Sequence, residues 1–180
     1  MESGDVDVLI NAPLSQLLKL PEDGDVQWTS VPASMTACVN LNCAKGLTTD
    51  INFSRALQSG INKSDVALGT YDGAIDVLEI PVNPIFTASP KEGTYKVVEY
   101  DVEQAKKYLA DSSYNGEEFS LYVVTGTKEE TAAQIIQGEL QHLGINCSVK
   151  AVDVATFMSA IFTDPSGNWD SYIRANTSSN

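Results

Sequence analysis

The fold is decided by residues 118–152, which read EFSLYVVTGTKEETAAQIIQGELQHLGINCSVKAV. The first seven residues alternate and are rich in β-branched and aromatic side chains, which predicts a strand over 118–124. Apolar residues then recur at helical spacing up to Gly144, a residue suited to a left-handed helix end. A further strand is predicted over 146–152. A strand, a helix and a strand joined by short loops indicate a parallel sheet covered by helices.

The predicted helix has a recognisable start and one weak point. The stretch 127–130 forms a capping box, in which the Thr127 hydroxyl accepts from the backbone of Glu130 and the Glu130 carboxylate reaches back. Gly138 weakens a helix interior by about 1 kcal/mol relative to alanine. We therefore expect Gly138 to serve close packing.

The alternation of strand and helix continues toward residue 174. Asp153 is suited to cap a helix, residues 164–167 are turn-forming, and 169–174 predicts a third strand. Connections this short are expected to be right-handed crossovers. The residues expected on one buried face of the helix are Val154, Phe157, Met158, Ile161 and Phe162.

Residues 1–110 are less regular. We expect helices capped by Asp50, by Ser64 and by Asp101, and a short helix after Pro13. The helix after Ser64 is expected to end at Gly69. The side chains expected to face inward are Phe53, Ala56 and Leu57 in the first of these helices and Val102, Ala105, Tyr108 and Leu109 in the last. Strands are predicted over 5–10, 26–30, 36–42, 75–80 and 95–100, with 69–94 otherwise a surface excursion.

Composition excludes several classes of protein. Eleven basic and 24 acidic residues in 180 give a net charge of −13, and the basic residues are scattered. Such a surface repels nucleic acid and anionic lipid. No apolar stretch approaches the roughly 20 residues that span a bilayer. The length fits one domain with a sizeable core.

The residues for metal or nucleophilic chemistry are few. The three cysteines, Cys38, Cys43 and Cys147, are interpreted as small buried hydrophobes, and a disulfide between the first two is left open. The single histidine, His142, falls in the last turn of a predicted helix. Phosphate-binding and nucleophile motifs are absent from the sequence. We expect no enzyme, no metal and no cofactor, although a pair of acidic side chains remains an open alternative.

Five stretches, in order and at matching spacing, resemble the family 5 extracellular solute-binding proteins, which are the oligopeptide, dipeptide and nickel receptors of bacterial ABC importers. Although no single stretch is specific, a chance match would have to reproduce all the gaps. The stretches are residues 3–8, residues 39–63 with Asp50 and Ala56-Leu57, residues 100–110, residues 133–145 and the pair Trp169-Asp170.

The resemblance implies an α/β fold, namely one lobe of a type II periplasmic-binding-protein fold with a mixed, mostly parallel sheet flanked by helices. Residues 1–180 would form that single lobe, with both termini continuing into a longer protein. The implied partners are the first lobe, a small peptide or other small polar ligand, and a membrane permease. The implied location is the outer face of the membrane, through a lipid anchor, or the periplasm.

The same resemblance points to candidate ligand-binding residues after the last strand, Asn176, Thr177 and Ser178, and at the start of a helix, Lys128. Two departures stand out. Ser54 replaces the family's usual arginine, with Arg55 beside it, and residues 175–179 lack an acid that would meet a peptide amine. A modified peptide or another small polar solute is therefore expected. The alternative is a ligand-sensing domain of a cytoplasmic transcriptional regulator.

Overall fold

A computed structural model describes residues 5–10, 12–21, 23–31, 33–87, 89–91, 93–164 and 166–177. Side chains are described for these residues except 14, 15, 176 and 177. The helices are α1 (Leu14–Leu17), α2 (Ile51–Gly60), α3 (Lys63–Tyr71), α4 (Val102–Ala110), α5 (Lys128–His142) and α6 (Val154–Met158). A 3-10 turn spans Leu47–Thr49, and a π-helical turn, Ser159–Thr163, extends α6. The strands are β1 (Met35–Leu41), β2 (Phe119–Val124), β3 (Cys147–Val152) and β4 (Ser171–Thr177).

The four strands form one mixed sheet in the order β1-β4-β2-β3. Strand β2 is parallel to both β3 and β4, whereas β1 is antiparallel to β4. This confirms the predicted mixed, mostly parallel sheet flanked by helices. The carboxyl ends of β2, β3 and β4 therefore lie together at one end of the sheet, called here the carboxyl end. The opposite end is called the amino end.

The core lies between one face of the sheet and the helices α2, α4 and α5. Strand β2 alternates regularly between buried and half-buried residues, and Phe119, Leu121 and Val123 point into the core. The predicted inward residues of α2, Phe53, Ala56 and Leu57, are all buried, and Ala105 of α4 is fully buried. The spacing of apolar residues in the sequence therefore identified these core contacts correctly.

The second face of the sheet is partly covered by α6. The ring of Phe157 is buried and lies 5.8 Å from that of Tyr172 in an edge-to-face arrangement. The expectation of a single buried face on this helix is wrong for three residues, because Val154, Met158 and Phe162 are exposed. Val154 and Met158 face outward, whereas the partly exposed Phe162 still packs edge-to-face on Phe157 and Tyr172.

Helix starts mostly follow the predictions. The side chains of Asp50, Asp101 and Asp153 accept backbone N–H bonds at the starts of α2, α4 and α6. Helix α3 is capped by Asn62, and it continues to Tyr71, so the predicted boundaries at Ser64 and Gly69 are wrong. The side-chain oxygen of Asn62, two residues before Ser64, accepts from the amides of Ser64 and Asp65, and asparagine caps a helix as well as serine does.

The predicted capping box of α5 is wrong in its contacts. The Thr127 hydroxyl donates to the Val124 carbonyl, and the Glu130 carboxylate accepts from the amide of Gly126. The expected close packing at Gly138 is also wrong, since a Cβ there would meet nothing within 4 Å. Gly144 has a φ of 88°, which confirms the left-handed helix end.

Four of the five early strands are not formed. The prediction over 36–42 is confirmed as β1, and the short helix after Pro13 is α1. Residues 5–10, 26–30, 75–80 and 95–100 are all described, and none of them lies in a strand. Their apolar side chains are largely exposed, as at Val8, because no neighbouring strand pairs with them.

Candidate functional site

The carboxyl end of the sheet collects the predicted ligand-binding residues that the structure describes. Lys128 opens α5 directly after β2, and Asn176 and Thr177 are the last two residues of β4. Since β2 and β4 are parallel, with Tyr122 opposite Tyr172, both segments leave the sheet at the same end. Ser178 lies outside the described residues. Lys128 lies at the start of a helix as predicted, but Asn176 and Thr177 lie within β4, paired with β1, and not after the last strand. Their binding role stays a prediction.

Lys128 makes its contact with the helix layer. Its ammonium lies 4.5 Å from the centroid of the Tyr71 ring, at the end of α3, a cation–π geometry. Burial, together with the Glu129 carboxylate, raises the pKa of Tyr71, so the ring stays neutral. The cation is therefore partly engaged by the protein itself.

Two helix starts face this end of the sheet, and each already holds an acid. At α5, the Glu130 carboxylate accepts from the Gly126 amide. At α6, Asp153 accepts from the amides of Ala155 and Thr156, and the Thr156 hydroxyl and amide lower the pKa of that carboxyl. Asp153 takes up two of the amides of α6 that would otherwise attract an anion, and Glu130 places a negative charge beside the first turn of α5. The carboxyl end is thus better suited to neutral or cationic groups.

The amino end of the sheet carries a polar clasp that the sequence did not reveal. One carboxylate oxygen of Asp170 accepts from both the amide and the hydroxyl of Ser120, at 2.9 and 2.7 Å. Ser120 belongs to β2 and Asp170 directly precedes β4, so the clasp fixes the two strands in register. The acid of the Trp169-Asp170 pair therefore acts at the end opposite the expected cleft.

Asn42 extends this clasp to β1. Its side-chain amide donates to the carbonyl of Trp169 at 2.9 Å, and its backbone amide donates to that of Asp170 at 2.8 Å. The Thr48 hydroxyl donates to the Asn42 carbonyl at 2.6 Å. Gly46, with a φ of 76°, leaves the required space, because a Cβ there would lie 2.9 Å from Asp170 Oδ1. Three strands are thereby tied together at one point.

A polar cavity of about 320 Å³ lies beside this clasp. Its charged groups are already paired: Lys45 donates to the Ser166 carbonyl at 2.8 Å, and Lys150 contacts Glu118 at 2.8 Å. The cavity is at the amino end, away from Lys128 and the end of β4. Its lining is consistent with a solvated part of the structural clasp.

The departure at residue 54 has a structural explanation. Ser54 is buried, and its hydroxyl donates to the Thr48 carbonyl at 3.1 Å. The neighbouring Arg55 lies with its guanidinium 5.8 Å from the centroid of the Tyr108 ring in α4. The position usually held by arginine thus supports the turn before α2.

The cysteines are free thiols in different environments. Cys147 is buried, and burial raises its pKa to about 11, in agreement with the interpretation as a small hydrophobe. Cys38 is half-buried and Cys43 is exposed, so that interpretation is wrong for Cys43, and no disulfide joins the two. His142 Nδ1 lies 2.7 Å from the Gly138 carbonyl in the last turn of α5.

The described part of the chain shows neither a metal-binding cluster nor a membrane-spanning helix. It contains no group of three or more His, Cys, Asp or Glu side chains arranged to hold a metal ion. Within the same residues, no helix combines the length and apolar character needed to cross a membrane.

Comparison with known proteins gives a match over the whole chain. The family model described as bacterial extracellular solute-binding proteins, family 5 Middle, matches residues 1–180. The oligopeptide-binding protein AppA of Bacillus subtilis is 22% identical over 184 residues, covering 94% of this chain and 33% of AppA.

Solved structures give the same fold. The ABC transporter substrate-binding protein CtaP of Listeria monocytogenes has a TM-score of 0.76 at 13% identity, over 83% of this chain and 31% of CtaP. AppA of Bacillus subtilis in complex with a nonapeptide has a TM-score of 0.68 at 21% identity, over 81% of this chain and 33% of AppA. NikA of Staphylococcus aureus in complex with Ni(L-His)2 has a TM-score of 0.65 at 20% identity, over 79% and 30% of the respective chains. The chain thus spans about a third of the length of the proteins that it matches.

Proposed function

The chain belongs to family 5 of the bacterial extracellular solute-binding proteins, and on that premise we propose that it is a substrate-binding part of a bacterial ABC importer. Residues 1–180 would form one lobe of a longer, two-lobed protein. The ligand, a peptide or a related small polar solute, would be captured in the cleft between the lobes by hinge closure. A membrane permease would receive the ligand. The receptor would be held at the outer face of the membrane by a lipid anchor, or would lie in the periplasm.

The observation that carries this proposal is the meeting of β2, β3 and β4 at the carboxyl end of the sheet. Open α/β sheets bind ligands outside the carboxyl ends of their strands. The candidate residues there are Asn176, Thr177 and Ser178, with Lys128 at the start of α5. Asn176 and Thr177 pair with Thr36 and Met35 of β1, so it is the backbone beyond Thr177 that would be free to hold the main chain of a peptide.

The charges at this end limit the ligand. Acidic side chains occupy the starts of α5 and α6, and the whole chain carries a net charge of −13. A neutral or positively charged solute is therefore favoured over an anion. Similarity to AppA, whose structure holds a nonapeptide, and to NikA, whose structure holds Ni(L-His)2, supports a ligand that offers amide, amine or imidazole groups.

The proposal is tested on the natural protein that contains this chain. An antibody raised against the 180-residue chain is used to blot soluble and envelope fractions of the source cells and to purify the protein. We expect a band well above 19.4 kDa in the envelope fraction. Mass spectrometry of the acid-released small molecules should find peptides or small polar solutes that are absent from a mock purification.

Other outcomes contradict the proposal. A band of high mass confined to the cytosol would favour the ligand-sensing regulator. A band at 19.4 kDa would contradict the two-lobed receptor. If the ligand is shared between two lobes, the isolated chain should bind peptides weakly, and micromolar peptide binding by this chain alone would overturn the shared cleft.

A further inference from the structure

The turn between α4 and β2 holds the one Asn-Gly step of the sequence, Asn115-Gly116. The step lies outside every helix and strand, and both of its residues are exposed. Gly116 has a φ of 90°, and a Cβ there would meet nothing within 4 Å. The described residues thus leave room for a change of the backbone at this step.

An asparagine followed by glycine is chemically labile. The backbone nitrogen of the next residue attacks the side-chain Cγ of asparagine, and glycine hinders this attack least because it has no side chain. The attack needs a nitrogen that is not held in a hydrogen bond and a side-chain amide that is free to turn toward it. A fold therefore decides which of its asparagines react.

Both reacting groups are free at this step. Among the described residues, no oxygen accepts from the amide of Gly116, and no group bonds the side-chain amide of Asn115. The backbone amide of Asn115 donates to Oε2 of Glu117 at 2.7 Å. This bond stabilises the turn without engaging either the attacking nitrogen or the side chain that it attacks.

The two Asp-Gly steps of the sequence differ from it in the state of the glycine amide. The amide of Gly24 donates to the Pro21 carbonyl at 3.2 Å, and that of Gly73 donates to the Ala67 carbonyl at 3.4 Å. An Asp-Gly step reacts through the same ring closure. The fold therefore restrains these two steps and leaves the Asn-Gly step unrestrained.

Asn168 is an exposed asparagine that provides a further contrast. It is followed by Trp169, whose large side chain hinders the attack and whose amide donates to the Gly167 carbonyl at 3.0 Å. Exposure alone therefore does not make an asparagine of this chain reactive. The combination of exposure, a following glycine and a free amide is what distinguishes Asn115.

We propose that Asn115 is a site of spontaneous deamidation, at which the folded protein converts asparagine to aspartate and isoaspartate as it ages. The Gly116 nitrogen bonds to Cγ of Asn115 as the Cγ–Nδ2 bond breaks, and Nδ2 leaves as ammonia with the proton of the Gly116 amide. Water then opens the five-membered imide. Cleavage on the Cγ side gives aspartate, and cleavage on the main-chain side gives isoaspartate, whose backbone is one methylene longer.

The conversion adds a negative charge and leaves the core in place. The turn lies between two anchors, since the Tyr114 ring stacks on that of Phe53 at 5.2 Å and Phe119 is buried. The new carboxylate would lie close to Glu117, which is exposed, at the amino end of β2. That end is opposite the proposed ligand-binding end, so the modification does not depend on the ligand proposed above.

Ageing of the purified 180-residue chain tests the proposal. The protein is kept for several weeks at 37 °C and pH 8, both folded and in concentrated guanidinium chloride. Samples are digested at low pH, so that digestion itself causes no deamidation, and the peptide containing Asn115 is followed by mass spectrometry. We expect a mass gain of about 1 Da, with a rate in the folded chain within about tenfold of that in the denatured chain. An isoaspartyl methyltransferase should label the same peptide.

Controls within the chain show whether the fold selects the site. The peptide containing Asn168 should gain mass at least tenfold more slowly than that containing Asn115 in the folded chain. Labelling at Asp72, whose glycine amide is bonded, should be at least tenfold slower in the folded than in the denatured chain. Asn115→Gln should stop the mass gain on this timescale, because its ring closure would need a six-membered ring.

Two results would overturn the proposal. One is an Asn115 peptide that converts in the denatured chain and more than tenfold more slowly in the folded chain, because the turn would then protect it. The other is conversion of Asn168 as fast as that of Asn115 in the folded chain, because the free glycine amide would then have no influence.

Discussion

Residues 101–177 and residues 72–100 both contain apolar stretches typical of strands, but only those in 101–177 form strands. The first region contains β2, β3 and β4 with their connecting helices, and its strand residues Leu121 and Val123 are fully buried. The second contains no helix or strand among its described residues, although 75–80 and 95–100 are also rich in apolar residues. Val77 and Val97 are 37% and 40% exposed. A stretch with the composition of a strand becomes one only where a neighbouring strand and a helix cover it.

Proline strengthens this difference. Residues 72–100 include Pro81, Pro84 and Pro90, and proline lacks the amide that a sheet ladder needs. In 101–177, α5 separates β2 from β3, and α6, with its acidic cap at Asp153, separates β3 from β4. Helix α5 returns the chain so that β3 lies beside β2, and α6 returns it so that β4 lies on the other side of β2. The order of elements, rather than strand propensity, therefore built the sheet.

The largest expected effect comes from the buried part of β2. Phe119→Ala should reduce the free energy of unfolding by about 3–5 kcal/mol, because it leaves a cavity in the core. Val97→Ala, at an exposed position of the irregular region, should change it by less than about 0.5 kcal/mol. Urea denaturation of both variants gives the comparison. Equal effects would show that residues 72–100 belong to the same cooperative core.

The second-largest effect on the free energy of unfolding is expected at the polar clasp, at the amino end of the sheet. Asp170→Ala removes the acceptor of two bonds from Ser120, so we expect a loss of about 2–3 kcal/mol in the free energy of unfolding. Asp76→Ala, in the irregular region, is the matched control and should be near neutral. A loss at Asp170 no greater than at Asp76 would contradict the role of this acid in strand register.

The Asp50 cap provides a pH-dependent test. Its carboxylate accepts from the amide and hydroxyl of Ser113 and from the first amides of α2, and these bonds lower its pKa to about 2. Asp50→Asn should cost about 1 kcal/mol at pH 7, because a carboxylate accepts hydrogen bonds more strongly than an amide oxygen does. Because the pKa is lower in the folded state, this stabilisation is full above pH 3.8 and is lost as the pH falls through 2. Urea titrations at pH 7 and pH 2.5 should show the difference from wild type shrinking. A pH-independent difference would contradict it.

The smallest effect concerns two helical glycines. Gly138→Ala should raise the free energy of unfolding by about 0.5–1 kcal/mol, since a Cβ there meets open space. Gly69→Ala should gain less, because Ile135 Cδ1 would have to move away from the new Cβ. Thermal unfolding of the pair decides the order. A greater gain at Gly69 would contradict the close packing of α3 on α5.

The sequence predicted contacts between residues that are close in the chain and missed contacts between residues that are far apart in it. The caps at Asp50, Asp101 and Asp153 join residues within one turn, and the spacing of apolar residues located the inward faces of α2 and α5. The clasp joins Ser120 to a residue 50 positions away. No periodicity connects such residues, since their contact exists only once the strands are in register.

The candidate site shows the same difference between local contacts, which were predicted, and distant contacts, which were not. The position of Lys128 after β2 followed from the alternation of strand and helix, whereas its contact with Tyr71 depends on how α3 packs. The sequence indicated acids at both helix starts, with Asp153 as a cap, although Glu130 accepts from Gly126 and does not cap α5. Their effect on the charge of the ligand could be inferred only from the sheet topology, because the sheet brings both helix starts to one end.

The central claim is that the carboxyl end of the sheet is the ligand-binding side. The most direct test is an NMR titration of the 15N-labelled chain with a mixture of di- to pentapeptides at millimolar concentration. The account predicts shifts of the amides of residues 125–128 and 174–178, with weak affinity and no shifts around the amino-end cavity at Gly46 and Trp169. Shifts concentrated at the amino-end cavity, with the carboxyl end unchanged, would contradict the account.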